Sequence, residues 1–308
     1  LGSFDLSSEG RNAIEGANLI STIDSDLQAF AEDLLINKTG AIIVMNPNTG
    51  AILTMASSPN YEVDRLAGRL DQSYWADINS DSTRPLFNRA ISSRQPPGST
   101  FKPLMGIIGL EEGLITPETI IKNTGGYQRG RLYRDIAPKG DYDLAKAITY
   151  SSNTYFYKLM DDIATSGRLN IWSERVKEFG LGSPLEIDLP SATTGIVPDS
   201  AFLDRWFGKS RWGLGDLINL GIGQGILSVS PLQVATMTSA IANDGYRIYP
   251  HLVERVVTTF GSSSPYIKSP KKIEWIKQEH LDIVKEGMRG VVQEGSGRFY
   301  VKNDVIDI

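Results

Sequence analysis

The chain has 308 residues, 41% hydrophobic and 22% charged, the balance of a globular protein of one large or two ordinary domains. Its net charge is −5 and no block of like charges appears, which gives no reason to expect nucleic acid as a partner. It has no cysteine, which excludes disulfides, thiol catalysis and cysteine-ligated metal, and its two histidines, His251 and His280, lie in no metal-like spacing and read as surface or capping residues.

Residues 1–21 are polar and Gly/Ser-rich and read as the tail of a preceding segment. The chain opens on Leu1 with no leader pattern, so a fragment or a processed form is expected. Over 22–36 apolar residues recur at helical spacing behind Asp24 and Ser25, a helix start. Residues 40–57 carry two β-rich runs around NPNTG, a hairpin pattern. No apolar run reaches the ~18 residues needed to cross a bilayer. Residues 58–95 read as loop, and a helix is predicted from about Ser99 to Glu112. Residues 144–164 read as helix, short turn, helix, and further helices are predicted over 166–179, 231–243 and 278–292. Strands are predicted over 251–259 and from 299 to 308. Strands at both ends with helices between predict an α+β fold, one antiparallel sheet built from the first hairpin and the C-terminal strands with an all-helical insertion.

The stretch PPGSTFKP (96–103) carries Ser99 and Lys102 three residues apart at the predicted helix start. Residues i and i+3 share a helix face, so the lysine amine can lie beside the serine hydroxyl. Pro103 falls in the first turn, where a missing N–H costs little. A serine needs a base to become a nucleophile, and a lysine serves only with a lowered pKa. An ordinary capping serine followed by a solvated lysine fits the same letters. About fifty residues on, Ser151 and Asn153 sit in the turn between two predicted helices. There a hydroxyl can relay a proton and an amide can bond both substrate and lysine, although Ser and Asn are also favoured helix caps. The order and spacing of the two motifs are those of serine β-lactamases and penicillin-binding proteins.

PPGSTFKP, SSNTYFYKL (151–159), RPLFNRAI (84–91) and the run GDLINLGIGQG (215–225) with its continuation to 245 together resemble the transpeptidase domain of class B penicillin-binding proteins. The Phe in STFKP, the TYFY after SSN and the IGQG run are most similar to the elongation-type branch, penicillin-binding protein 2. The resemblance covers about 22–308 and implies a transpeptidase fold there, with 1–21 as the end of a pedestal domain or a linker. It implies a peptidoglycan D,D-transpeptidase. Ser99 would attack the penultimate D-Ala of a stem peptide ending in D-Ala-D-Ala, with Lys102 as base and Ser151 and Asn153 assisting. β-Lactams would acylate the same serine. The implied setting is the outer face of the cytoplasmic membrane, with an N-terminal anchor, a SEDS-type glycosyltransferase and cell-shape scaffold proteins as partners. A serine β-lactamase and a penicillin-sensing domain are the alternatives.

Two departures from the family pattern stand out. The family's third motif, Lys-Thr/Ser-Gly on a strand, should follow the other two. Lys38-Thr39-Gly40, Asn48-Thr49-Gly50, Asn123-Thr124-Gly125 and Gly208-Lys209-Ser210 come too early and read as turns. The motif is expected soon after 308, so the C-terminal strands would be incomplete and a chain ending there would be inactive. Some members are also thought to carry zinc near the Ser-x-Asn turn on Asp, His and Cys. Here the middle residue is Ser152 and no cysteine exists, so no metal and no cofactor are expected. The GIGQG run (221–225) reads as structural, its glycines allowing close backbone packing or positive φ.

Overall fold

The structure, a computed structural model, describes residues 16–67, 70–258, 261, 263–265 and 268–303. The first half contains β1 (Asn18–Ser21), α1 (Ser25–Leu34), β2 (Gly40–Met45), β3 (Ile52–Ser58), α2 (Gln72–Ser80), α3 (Arg89–Ser92) and α4 (Lys102–Glu111). A small β excursion follows, with β4 (Ile121–Asn123), β5 (Gly126–Arg129), β6 (Arg131–Arg134) and β7 (Gly140–Tyr142). The helical block is α5 (Leu144–Thr149), α6 (Asn153–Thr165), α7 (Leu169–Glu178), α8 (Ser200–Phe207), α9 (Leu214–Leu217) and α10 (Pro231–Ala242). The chain then runs through β8 (Tyr246–Arg247), β9 (Val253–Val257), β10 (Ser263–Pro265), β11 (Lys271–Lys272), α11 (Gln278–Gln293) and α12 (Arg298–Val301).

The core is built around α4. From Lys102 to Leu110 every residue of this helix is buried, so it is the central helix of the fold. Phe101, Leu104, Ile107 and Ile108 pack with Tyr155, Phe156 and Leu159 of α6, Trp172 of α7 and Leu281 and Val284 of α11 in one apolar cluster. Phe101 meets Trp172 edge to face at 6.2 Å between centroids, and the Trp172 indole N–H points at the Met105 sulfur at 2.9 Å. A rigid central helix fixes whatever stands at its N-terminus.

The predicted hairpin forms, with Ile42 opposite Ala56 and Ile43 opposite Met55. The helix expected behind Asp24 forms too, and the Asp24 carboxylate accepts from the amides of Asp26 and Leu27. Asp24→Ala should cost about 1 kcal/mol of stability, measured as a shift in the denaturation midpoint. Helices 102–111, 144–149, 153–165, 169–178, 231–242 and 278–293 match the periodic segments read from sequence.

Several elements differ from the sequence reading. Within 58–95, α2 forms although only Tyr74 and Ile78 face the core, too sparse a pattern to show as a period. Among the described residues the strands form small antiparallel sheets, and the hairpin β2–β3 shares no ladder with the three-stranded sheet β1–β9–β10. The two are joined by an isolated bridge between Ala51 and His251. Asn18–Ser21, in the segment expected to be the end of a pedestal domain or a linker, pairs with β9. The strand expected from 299 begins instead as helix α12, its aromatic and branched residues exposed rather than paired, and residues 304–308 of that prediction lie outside the described residues. His251 is not a surface residue: it is 6% exposed, with Nδ1 3.1 Å from the Tyr249 carbonyl. His280 is half-buried beside Glu111, 2.8 Å from its carboxylate.

Candidate active site

Ser99 stands in a 3-10 turn, Gly98–Phe101, that runs directly into α4. Phe101 is fully buried and anchors the turn from below, while Ser99 is exposed. The turn is held from the side by the GIGQG run. The Gly98 amide donates to the Gly223 carbonyl at 2.8 Å. Gly223 has φ +69°, and a Cβ placed there would meet the Gly98 carbonyl oxygen at 2.2 Å. Only glycine allows that approach, so the structural reading of this run holds. Just upstream, Gln95 and Val229 exchange both backbone hydrogen bonds, at 3.0 and 2.9 Å.

Lys102 begins α4 and is 1% exposed. Its amine donates to the Ser151 carbonyl at 2.7 Å, the Ser151 hydroxyl at 2.9 Å and the Asn153 side-chain carbonyl at 2.7 Å. The ring of Phe156 lies 5.6 Å away. Burial lowers its pKa to about 8, against the opposing pull of the Asp135 carboxylate. Three acceptors therefore place a lysine that is partly neutral near pH 7. Among the described residues no hydrogen bond joins it to Ser99. The two share one cavity of about 310 Å³ with Ser151, Thr238, Met288 and Ser296 on its walls.

Ser151 and Asn153 converge because of the turn between α5 and α6. Ser151 adopts φ +56°, uncommon for a residue with a Cβ, and both its carbonyl and its hydroxyl meet Lys102. These residues are not the caps that their letters also allow. Ser152 holds the N-cap position of α6 but makes no cap bond. The cap comes from Asp135, whose carboxylate accepts from the Asn153 amide at 2.9 Å, the Thr154 amide at 2.7 Å and the Ser152 hydroxyl at 2.8 Å. With the cap supplied from elsewhere, the side chains of Ser151 and Asn153 are free to hold Lys102.

Of the four residues singled out from sequence, Ser99, Lys102 and Ser151 line one cavity, and Asn153 adjoins it through its bond to Lys102. Asp135 was missed, because it caps the turn from 17 residues upstream and no local pattern connects them. The four turns resembling the third motif do not line the Ser99 cavity. No group of three His, Asp or Glu side chains among the described residues is placed to hold a metal ion. Chemically, the cleft offers an exposed hydroxyl, a buried amine with a lowered pKa, and a second hydroxyl bonded to that amine. These are the parts of a serine acyl-transfer site.

The family model for the penicillin binding protein transpeptidase domain matches residues 40–307. The peptidoglycan D,D-transpeptidase MrdA of Haemophilus influenzae is 33% identical over 300 residues, 93% of this chain and 44% of the relative. The enzyme of the same name from Acinetobacter baumannii is 30% identical over 302 residues, covering 94% of this chain and 43% of the relative. The chain thus spans less than half the length of these two relatives. Among solved structures, Pseudomonas aeruginosa PBP2 in complex with WCK 5153 superposes with a TM-score of 0.83 at 31% identity, covering 93% of this chain and 65% of that one. PBP2 of Helicobacter pylori in complex with MreC superposes at 0.81 and 31% identity, covering 94% and 53%. The matched span contains the Ser99 helix, the Ser151–Asn153 turn and the glycine run, and the chain belongs to the penicillin-binding protein transpeptidase family.

Proposed function

We propose that this chain is the catalytic part of an elongation-type peptidoglycan D,D-transpeptidase. The observation that carries the proposal is the buried Lys102 amine, held by Ser151 and Asn153 in the same cavity as an exposed Ser99. Neutral Lys102 removes the Ser99 proton as Oγ attacks the carbonyl of the penultimate D-Ala of a donor stem peptide. The Ser99 amide receives the developing oxyanion, one of the donors such a centre requires. The C–N bond then breaks. The Ser151 hydroxyl accepts from Lys102, so its own proton is free to pass to the leaving D-Ala amine while the lysine resupplies it. Asn153 keeps the lysine in place with its carbonyl and has its NH2 for the peptide backbone. The amine of an acceptor stem peptide next attacks the acyl-enzyme, forming the cross-link and releasing Ser99. A β-lactam follows the first half of this path and stops at the acyl-enzyme.

The β-lactamase reading is less well supported. Rapid hydrolysis needs a group to activate water, and among the described residues no carboxylate lines the Ser99 cavity. The partners we propose are a cell-shape scaffold, as PBP2 of Helicobacter pylori has been solved with MreC, and a SEDS-type glycosyltransferase. The setting is the outer face of the cytoplasmic membrane. No helix among the described residues is long and apolar enough to cross a membrane itself.

The test is the intact mass of the full-length protein with and without a labelled penicillin. One long-lived adduct, mapped to Ser99, is expected. Ser99→Ala should abolish the adduct with a stability change within about 0.5 kcal/mol, since the hydroxyl is at the surface. An adduct on Ser99→Ala, or none on the folded parent, would overturn the assignment. Turnover of the penicillin at several per second would move the protein to the lactamases.

A further inference from the structure

We infer that Asp135 is a positioning residue for acyl transfer: its single carboxylate grips Ser152, Asn153 and Thr154 and thereby sets the acceptors that hold Lys102. The inference rests on the reading of Ser99 and Lys102 given above.

On its α5 side the turn is closed by its own backbone, the Ser151 amide on the Ile148 carbonyl at 3.0 Å and the Ser152 amide on the Ala147 carbonyl at 2.9 Å, but its α6 side is open. A left-handed serine costs on the order of 1 kcal/mol, and the first amides of α6 have no partner within the helix. Asp135 supplies what is lacking. One oxygen takes the Asn153 amide, the other takes the Thr154 amide and the Ser152 hydroxyl. Ser152 is fully buried, so the grip lies beneath the cleft floor. Asp135 is itself fixed. Its carboxylate also takes the Ala137 amide at 3.0 Å, and its own amide donates to the Gly125 carbonyl at 3.2 Å. The loop beyond it is clamped by the Asn123 side-chain amide on the Ala137 and Pro138 carbonyls, each at 3.1 Å.

The residues that bind Lys102 lie next to this grip and within it. Ser151 gives two acceptors and Asn153 one. A shift of the turn therefore moves all three. Asp135 also acts through charge. Burial alone would push its pKa up, but the amides of Thr154, Ala137 and Asn153 hold it below the usual carboxylate value, so it is an anion at neutral pH. Around Lys102 the elements packed against it present Ser99, Ser151, Asn153 and the Phe156 ring, and Asp135 is the charged group that acts on it. The anion keeps the lysine pKa from falling further. This opposes the effect of burial and tunes how much amine is neutral.

The test measures the second-order rate of penicillin acylation against pH for the full-length protein, Asp135→Asn and Asp135→Ala. The parent must first form the Ser99 adduct; if it does not, the function proposed above fails and Asp135 is not at issue. With the adduct present, Asp135→Ala should acylate on the order of a hundredfold more slowly, the scale of loss when a reacting group is misplaced by about 1 Å. Asp135→Asn retains one acceptor oxygen but no charge. Its acid limb should move to lower pH, because without the anion Lys102 loses its proton more readily. A helix cap with no further role would lower the thermal midpoint and leave the limb where it was. A parent-like rate in Asp135→Ala would overturn the inference. So would an unmoved limb in Asp135→Asn, and this variant decides the matter if the alanine variant fails to fold.

Discussion

Lys102→Met should lower the rate of Ser99 acylation by about 10²- to 10⁴-fold, the range for losing a positioned general base, while the protein stays folded. Methionine keeps the unbranched stem in the slot that Lys102 occupies beneath the Ser151 carbonyl, at 1% exposure. It removes the atom that accepts the proton. The stability effect has two opposing parts. The lysine pKa falls from 10.5 in an exposed chain to about 8 in the fold. The unfolded chain therefore binds more protons between these values, and stability is lost as pH drops through that window and stays lost below it. At pH 7 the deficit is about 3 kcal/mol, at roughly 1.4 kcal/mol per unit. Methionine relieves it but leaves the acceptors on Ser151 and Asn153 without a donor, at about 1–3 kcal/mol each. The melting midpoint should therefore remain near that of the parent or fall. In the parent, the acylation rate should rise with pH and level off above about 8, where the amine is neutral. Lys102→Arg should be as inactive as the methionine variant, since a guanidinium does not give up its proton in this range. Near-normal acylation by either variant would remove Lys102 from the mechanism.

Gly223→Ala should lose both stability and acylation. The new methyl group would lie 2.2 Å from the Gly98 carbonyl oxygen and 2.9 Å from the Phe101 Cβ, and neither can retreat as a side-chain tip could. The left-handed φ of +69° adds its own penalty. Together, about 1–3 kcal/mol for overpacking and 1–2 kcal/mol for the backbone predict a loss of roughly 2–5 kcal/mol. Gly98 must shift, and Ser99 follows it. The acylation rate should fall on the order of a hundredfold. Gly225→Ala is the control. It shares the left-handed φ, at +79°, but a Cβ there meets nothing closer than 3.7 Å. It should show the backbone penalty alone and retain acylation. Equal rates for the two variants would mean that the contact with Gly98 does not position Ser99.

Much of this site was legible before the structure. Phe101 and the apolar residues from Leu104 onward mark a buried helix, and Pro-Pro-Gly marks its entry. Serine and lysine three apart on such a helix ask for a nucleophile and a base. The Ser151–Asn153 turn was ambiguous, because the same residue types cap helices. What resolves it is Asp135, which lies within a β excursion whose strands are three and four residues long. Such strands have too few residues to show an alternation. Helix α2 was hidden for a related reason, having two buried residues in nine. The aromatic run after Arg298 read as strand because bulky and branched residues favour strands when they are paired, and here they are exposed on a helical turn.

A candidate nucleophile and base, and the helix they stand on, were readable from the sequence, because serine, lysine and helical period are carried by residues within a few positions of one another. Tertiary structure decided what those groups can do. The pKa of Lys102 depends on burial against Phe156 and on an anion at Asp135, and the place of Ser99 depends on Gly223. Desolvation and close contact are set by neighbours in space, and here those neighbours come from three separate parts of the chain.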